Sequence, residues 1–231
     1  MFICPVCSYH NDDLALKCIS CGSFVQNRVP NIDFFSTLWS IIEKPFSALH
    51  TIIIAERKNY VLFLFTFLGI AFSFSTLWFF NLGNEFDNLL YLLLYGLVGG
   101  IIFGIPLGMC ITGITYIVAK IFRGKGSFKN TYAIIGWVNI PIVISVVFIL
   151  PLEIATLGLT FFSTNPSPAQ IKPTVYYTLL CLDSAFVLWT VILAIIGLSI
   201  AHKISFIKSF CIVMVIIGIL AFFQFFLSTY K

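Results

Sequence analysis

Four cysteines near the amino terminus have the spacing that most clearly points to chemistry. They form two Cys-x-x-Cys pairs separated by ten residues, Cys4 with Cys7 and Cys18 with Cys21. Each pair can present two thiolates from one tight turn, and two such turns complete the tetrahedral sulfur set that suits Zn²⁺. About 25 residues cannot build an apolar core, so metal binding would supply the folding free energy. We therefore predict a structural zinc ribbon over residues 1–28, with no open position for catalysis.

Two disulfides and a redox-active Cys-x-x-Cys are the alternative interpretations of the same four cysteines. A cytoplasmic location disfavours disulfides, and no βαβ pattern surrounds either pair, as a thioredoxin-like redox site would require. Gly22 follows the second pair, where its freedom to adopt a positive φ lets backbone N–H groups turn toward sulfur. We expect the metal-bound head to contact a partner protein or another copy of the chain.

One carboxylate lies well inside an apolar stretch. This is Asp183, and Asn139 is a polar residue in another apolar stretch. Acids inside a membrane are costly and indicate function by default. Ion or proton binding is one interpretation of a polar site at Asp183 and Asn139, and a single hydrogen-bonded structural acid is the other. His202 stands beside Lys203 at the end of the same stretch, and we predict that it lies at the membrane interface.

The stretch IFRGKGSFKNTY, residues 121–132, has glycines, lysines and a serine close together, as phosphate-binding loops do. A P-loop, however, needs G-x4-G-K-[ST] between a strand and a helix, and here Lys125 precedes Gly126 after an apolar stretch. We therefore predict no nucleotide site. Glycines permit a tight turn and basic side chains hold it at an anionic membrane surface. The predicted membrane-surface residues are Lys120, Arg123, Lys125 and Lys129.

The composition is that of a membrane protein. Of the 231 residues, 60% are hydrophobic and only 10% are charged, and the mean hydropathy is +1.05. A soluble domain could not keep that much apolar surface out of water. We predict an all-α integral membrane protein that contacts the lipid bilayer, binds no nucleic acid and is not an enzyme, because no convergent polar set is visible.

Five apolar stretches are long enough to cross about 30 Å of hydrocarbon. The second exceeds that length, so we expect it to tilt, to kink at Pro106 or to project beyond the membrane. Basic residues flank one set of ends, whereas Glu85 and Asp87 flank the other. The positive-inside rule then places the N-terminus in the cytoplasm and the C-terminus outside. The predicted domain covers residues 59–231, with spans at 60–80, 89–119, 132–152, 174–201 and 209–230.

Two further segments complete the predicted architecture. Residues 153–173, which begin with Glu153, are expected to form an external connection that is only in part a loop, and lying on the membrane interface is one interpretation of its first half, EIATLGLTFF. Residues 29–58 combine a linker with an amphipathic helix, because in FFSTLWSIIEKPFSALHTIIIAER apolar residues recur at three- and four-residue steps. This pattern indicates a helix in the membrane interface, with Pro45 as a bend or break. Packing against the transmembrane helices is a compatible alternative.

The second span contains a row of glycines spaced by four: Gly96, Gly100, Gly104 and Gly108. One face almost free of side chains lets another helix approach to backbone contact. We expect close packing within the bundle, and homodimer packing or a flexible helix in a transporter are the alternatives.

Two segments carry a family resemblance. RGKGSFKNTYAIIGWVNIP resembles the start of the third span in the Yip-domain family, the Ypt/Rab-interacting membrane proteins and their bacterial relatives. There a basic G-x-GS-[FY] turn leads into a helix with a Gly-aromatic pair and then proline, matched here by Gly136, Trp137 and Pro141. GLSIAHKISFIKSF is similar to the join between the family's last two spans. The resemblance covers about residues 35–230, and the five-helix count and the EKPFSAL helix agree with it.

The resemblance implies a role that this chain matches only in part. Eukaryotic members act in vesicle trafficking and bind prenylated small GTPases through a long cytoplasmic N-terminus. This chain has a cysteine head there and lacks their acidic-Leu-Tyr-Gly-Pro signature, so the GTPase role is not carried over. A zinc ribbon joined to such a domain resembles bacterial or archaeal members, which implies a prokaryotic plasma membrane.

Two functions from different classes are compatible with these features. The first is a non-enzymatic membrane protein that organises or recruits partners through the metal-bound head and the interface helix. The second is a small transporter or channel that uses Asp183 and the glycine-rich second span.

Overall fold

The computed structural model describes residues 2–12, 14–26 and 29–229, with side chains to residue 226. The chain divides into two compact units, residues 1–60 and 61–231. The predicted end of the ribbon at residue 28 and of the last span at residue 230 lie outside the described residues. The three-part division of the chain, with a linker and helix over 29–58, stays a prediction.

The first unit begins with a small antiparallel β-structure around the cysteines. Strand β1 (Phe2–Ile3) pairs with β2 (His10–Asn11), and a separate bridge joins Lys17 to Phe24. Each pairing flanks one Cys-x-x-Cys turn, so the backbone holds the two turns in similar settings.

Two helices come next in the first unit, α1 (Phe34–Glu43) and α2 (Pro45–Ile54). The Asp33 side chain caps α1 by accepting a hydrogen bond from the Ser36 amide at 2.9 Å, which satisfies one of the free N–H groups of the first turn. Proline fits the first position of a helix, so Pro45 starts α2 and breaks the amphipathic stretch in two. Lys58 closes α2, because its Nζ donates to two carbonyls of the last turn at 2.6 and 2.5 Å.

The second unit is helical. Among the described residues, five segments are long and apolar enough to cross a membrane, which confirms the predicted number. The first two are α3 (Val61–Phe79) and α4 (Leu89–Ile121). The third is a composite segment that contains α5 (Phe128–Trp137), α6 (Ile140–Ile144) and α7 (Leu150–Leu157) and reaches Phe162. After the short α8 (Pro168–Ile171), the fourth and fifth are α9 (Pro173–His202) and α10 (Phe206–Thr229).

The composite segment extends beyond the predicted span 132–152 at both ends. Ser127 caps α5 by accepting a hydrogen bond from the Asn130 amide at 3.2 Å, so the helix begins at Phe128. At the other end the chain continues through α7 and a 3-10 turn, Gly158–Phe162. The first part of the predicted external connection therefore belongs to the third apolar segment.

This segment remains continuous despite two prolines. Pro141 and Pro151 are each the second residue of their helix, where a missing N–H group removes no required intrahelical hydrogen bond. Between the two helices, Ser145–Ile149 form a π-helical turn, which adds a residue to one turn and rotates the helix beyond it. Side chains on either side of the turn thereby come to face α9.

The glycine row of α4 faces α3. A Cβ atom on Gly100 would lie 2.5 Å from the Ile70 Cα, and one on Gly104 would lie 2.5 Å from the Phe65 carbonyl oxygen. The approach is mutual, because a Cβ atom on Gly69 would overlap both the Gly100 carbonyl oxygen and the Gly104 Cα. In such close contact, backbone dispersion and Cα–H···O contacts hold two helices together without a hydrophobic driving force.

We predict that Gly69→Ala destabilises the bundle by about 1–3 kcal/mol, because neither backbone can move away from the added methyl group without losing contacts along the whole row. The thermal unfolding midpoint of the purified protein in detergent should fall by several degrees.

The matched control for that substitution is Gly113→Ala. Gly113 lies in α4, and a Cβ atom there would meet nothing within 4 Å, so alanine should leave the midpoint unchanged or raise it slightly through its higher helix propensity. Equal midpoints for Gly69→Ala and the wild type would contradict the close approach of α3 and α4.

Candidate functional site

The two cysteine pairs occupy turns of the same geometry. In each, the residue after the second cysteine has a positive φ, 57° at Ser8 and 74° at Gly22. Its amide donates back to the carbonyl of the first cysteine, Ser8 to Cys4 and Gly22 to Cys18, at 2.9 Å in both cases. The sequence indicates this conformation at Gly22 but not at Ser8, because serine rarely adopts a positive φ.

A second hydrogen bond closes each turn in the same way. The Cys4 amide donates to the Tyr9 carbonyl at 2.9 Å, and the Cys18 amide donates to the Ser23 carbonyl at 2.8 Å. The two halves of the head thus repeat one backbone pattern, and each pattern presents its two sulfurs toward the other half.

The four sulfurs lie within 4.8 Å of one another. Two contacts cross between the turns, Cys4 Sγ to Cys21 Sγ at 3.6 Å and Cys7 Sγ to Cys18 Sγ at 3.5 Å. Zinc–sulfur bonds of about 2.3 Å in a tetrahedron place sulfurs about 3.8 Å apart, whereas a disulfide needs about 2.0 Å. The observed separations match the edges of a tetrahedral metal site, so the predicted ligands fit a metal ion.

Polar neighbours surround the sulfurs. The Ser23 Oγ lies 3.1 Å from the Cys4 Sγ and 3.0 Å from the Cys21 Sγ. The buried Asn11 donates from Nδ2 toward the Cys18 Sγ at 3.5 Å, and its Oδ1 accepts the Ile19 amide at 3.1 Å. Such contacts orient ligating thiolates and partly neutralise their charge. Neither Asn11 nor Ser23 is recognisable from the cysteine spacing alone.

The same neighbours shift the acidity of the thiols in opposite directions. The pKa of Cys4 is lowered to about 6, first by the Ser23 hydroxyl and then by the Cys7 backbone N–H group. The pKa of Cys7 is raised to about 12. The largest single effect, the hydrogen bond from the Tyr9 N–H group, lowers this pKa, but the neighbouring thiols, Cys21 first, and burial together raise it by more. Four thiolates in contact repel one another, and a divalent cation supplies the charge that lets all four ionise.

The RGKGS turn that carries the family resemblance closes over His202. This side chain is fully buried. A Cβ atom on Gly124 would lie 2.8 Å from the His202 Nδ1 and one on Gly126 would lie 2.7 Å from it, so only glycine leaves room for the ring. The Lys125 amide donates to the His202 carbonyl at 2.9 Å. The glycines therefore serve close packing against the end of α9.

His202 was expected at the membrane interface, and the structure places it inside the protein instead. Its Nε2 lies 2.8 Å from the Thr131 Oγ1, and the Tyr116 ring centroid is 6.3 Å away. The four basic residues predicted at the membrane surface are, in contrast, not buried. The Nζ of one of them, Lys120, stands 5.3 Å from the centroid of the Tyr116 ring.

Asp183 does not lie alone in the fourth segment. It accepts a hydrogen bond from the Ser145 hydroxyl of the π-helical turn, and the Glu153 carboxyl of α7 interacts with it electrostatically. Asn139, its predicted partner, donates instead to the Ile135 carbonyl at 2.5 Å. The structure thus brings together Ser145, Glu153 and Asp183, but not Asn139 and Asp183.

Glu153 was expected outside the membrane. Its side chain is buried in the protein, with 2% of its surface exposed, and it belongs to the third apolar segment. One signal was available: the residues after Glu153 stay apolar as far as Phe162, without the cluster of turn residues that usually ends a helix. Glu153 also lies eight residues after Ser145, which places both on one helix face.

Comparison with known families gives one match. The family model of the Yip1 domain matches residues 39–228, which include all of α2 to α9 and the RGKGS turn with His202, but not the cysteine head. Comparison with curated proteins and with solved structures gives no match. The matched region covers most of the chain and contains its five apolar segments. The chain is therefore a multi-pass integral membrane protein and belongs to the Yip1 domain family.

Proposed function

We propose that the protein is a non-enzymatic membrane organiser that recruits a partner through its cysteine head. The observation that carries the proposal is the pair of matched turns, which converge four sulfurs on one point. A site filled by four protein thiolates has no open position for substrate or water. Its role is then to hold the fold of a small head, and the surface of that head is what a partner meets.

The surface of the head supports a binding role. Four of its large apolar side chains are more than 45% exposed although the head is small: Ile3 59%, Val6 72%, Ile19 78% and Phe24 46%. This much exposed apolar surface on so small a head supports an interaction surface. We assign the metal as Zn²⁺, because four thiolates in a tetrahedral arrangement favour it over harder cations.

Helices α1 and α2 are proposed to lie in the membrane interface. Phe35, Trp39 and Ile42 of α1 recur at four- and three-residue steps and are exposed, and Phe46 of α2 is exposed as well. A helix with such a row inserts it at the boundary between headgroups and acyl chains, where tryptophan is especially favourable. This would hold the head close to the membrane surface.

The orientation that this role needs places the N-terminus in the cytoplasm and the C-terminus outside. The basic residues Lys120, Arg123, Lys125 and Lys129 favour it, since basic loops remain cytoplasmic. We place the chain in a prokaryotic plasma membrane, on the combination of a zinc ribbon with this domain. A second copy of the chain is also a candidate partner, and it would use a face other than the glycine row because α3 covers that row.

A second candidate function is transport of a small solute or ion. The observation that favours it is the electrostatic interaction between two carboxyl groups of the apolar segments, Glu153 and Asp183. Intramembrane acids in contact are a feature of ion and proton pathways. This candidate requires the pair to bind an ion, and a pair that binds none excludes it.

We expect the purified wild-type protein to contain about one zinc ion per chain and Cys18→Ser to contain none, because three thiolates and a hydroxyl hold zinc far more weakly than four thiolates. Metal analysis by mass spectrometry measures this directly. Cys110→Ser changes an exposed cysteine of α4 and should retain the ion. A metal-free wild-type protein would contradict the zinc assignment.

Crosslinking and affinity capture in native membranes test the recruitment role. Cys18→Ser should lose the partners that the wild type captures, because the head no longer folds. Ile19→Asp should keep its zinc and still lose them, because it changes only an exposed apolar side chain. The Cys110→Ser control should capture the wild-type set. If all four proteins capture the same partners, the head does not recruit them.

The orientation is tested by cysteine labelling with a membrane-impermeant maleimide. Gln170 and Ser205 lie near opposite ends of α9, and neither is buried. In a chain whose Cys110, Cys181 and Cys211 are replaced by alanine, Gln170→Cys should react in intact cells. Ser205→Cys should react only after permeabilisation. The reverse result would invert the proposed topology.

A further inference from the structure

We propose that Glu153, Asp183 and Ser145 form a binding site for a single monovalent cation, a proton or Na⁺, within the helical bundle. The inference does not depend on whether the protein recruits partners, because it concerns binding at a site remote in sequence from the head.

The first step is the convergence of three oxygen-bearing side chains from separate parts of the chain. Asp183 of α9 accepts the Ser145 hydroxyl from the π-helical turn, and the Glu153 carboxyl of α7 interacts with the same carboxylate. The π-helical turn begins at Ser145 and ends before Glu153, so it sets their relative rotation. Turns of this kind occur at functional sites more often than elsewhere in helices.

The second step is an unsatisfied atom. Glu153 is 2% exposed, and its buried Oε1 has no hydrogen-bond partner among the residues that the structure describes. A buried oxygen without a partner carries its full desolvation cost. Glu153 and Asp183 interact electrostatically, and a cation bound between the two carboxyl groups would satisfy this oxygen.

The third step is the charge balance. Two ionised carboxylates in contact inside an apolar bundle repel each other strongly, so the pair needs a positive charge. The residues from 140 to 162 contain no other titratable side chain, and neither does α3. On α9, its two caps and the elements packed against α9 or against residues 140–162, the other titratable groups are Glu85, Lys129, Tyr132, Lys172, Tyr176, Tyr177, Cys181, His202, Lys203, Lys208 and Cys211.

Lys172 is the basic residue among these at the same end of α9 as Asp183. Its Nζ donates to the Thr156 carbonyl at 2.7 Å, and its side chain is exposed. His202 and Lys208 belong to the opposite end of α9 and the start of α10. The positive charge for the carboxyl pair is therefore expected to come from a bound cation.

The donor set selects a small monovalent ion. Carboxylate and hydroxyl oxygens suit hard cations, but Ca²⁺ takes six to eight oxygens and Mg²⁺ a rigid octahedron, more than three side chains offer. Two carboxylates with one positive charge retain a net charge of −1, which the Ser145 hydroxyl stabilises by donating to Asp183. Asp183 and Ser145 are both half-buried, whereas Glu153 is buried.

Thermal unfolding and infrared difference spectroscopy of the purified full chain in nanodiscs test the proposal. NaCl is titrated against choline chloride at constant ionic strength and constant pH. If Na⁺ is the ligand, it raises the unfolding midpoint in a saturable manner. If a proton is the ligand, Na⁺ has no effect, and the spectrum shows a protonated carboxyl band at neutral pH that disappears on alkaline titration.

Four variants locate the response. The near-isosteric Glu153→Gln should abolish either response, Asp183→Asn should abolish the Na⁺ response, and Ser145→Ala should weaken Na⁺ binding about tenfold. Glu85→Gln changes an exposed acid of the 3-10 turn Leu82–Glu85 and should behave as the wild type. Two results would overturn the site: a folded wild type with neither response, or an unchanged response in folded Glu153→Gln and Asp183→Asn.

Discussion

The interior of a bilayer contains no water, so every polar group there must find its partner within the protein. This constraint explains how the prolines, the Asp183 carboxylate and the glycines of the second unit are placed. The prolines of the third segment stand in the first turns of their helices, where no N–H donor is required. Asp183 receives the Ser145 hydroxyl. Where the partner is another backbone, as between α3 and α4, glycines remove the side chains that would keep the two helices apart.

The cysteine head is under a different constraint, because it is too short to form an apolar core that excludes water. Cys4 and Cys18 are buried, whereas Ile3, Val6 and Ile19 are not. Small domains of this kind derive their stability from metal ligation rather than from a core. The apolar side chains that a larger domain would bury remain available on the surface. The proposed metal site and the proposed binding surface thus both follow from the small size of the head.

The number of spans could be predicted because each span needs an apolar run long enough to cross the membrane, whichever helices pack against it. The cysteine ligands could be predicted because their spacing along the chain is itself the signal. Glu153 could not be placed, because its charge argued for water and its burial depends on α9, which begins about twenty residues further along the chain. The position of His202 likewise depends on a turn nearly 80 residues before it. A local sequence pattern cannot predict a contact between segments that are far apart in the sequence.

The two segments that carry the family resemblance are one structural unit. RGKGS lies between the second and third apolar segments and AHKIS between the fourth and fifth, yet the Lys125 amide bonds the His202 carbonyl and both glycines rest on the histidine ring. A larger residue at Gly124 or Gly126 would displace His202, and a different residue at 202 would leave the glycines without a partner. The two motifs therefore constrain each other, and packing against His202 accounts for the two glycines of the turn.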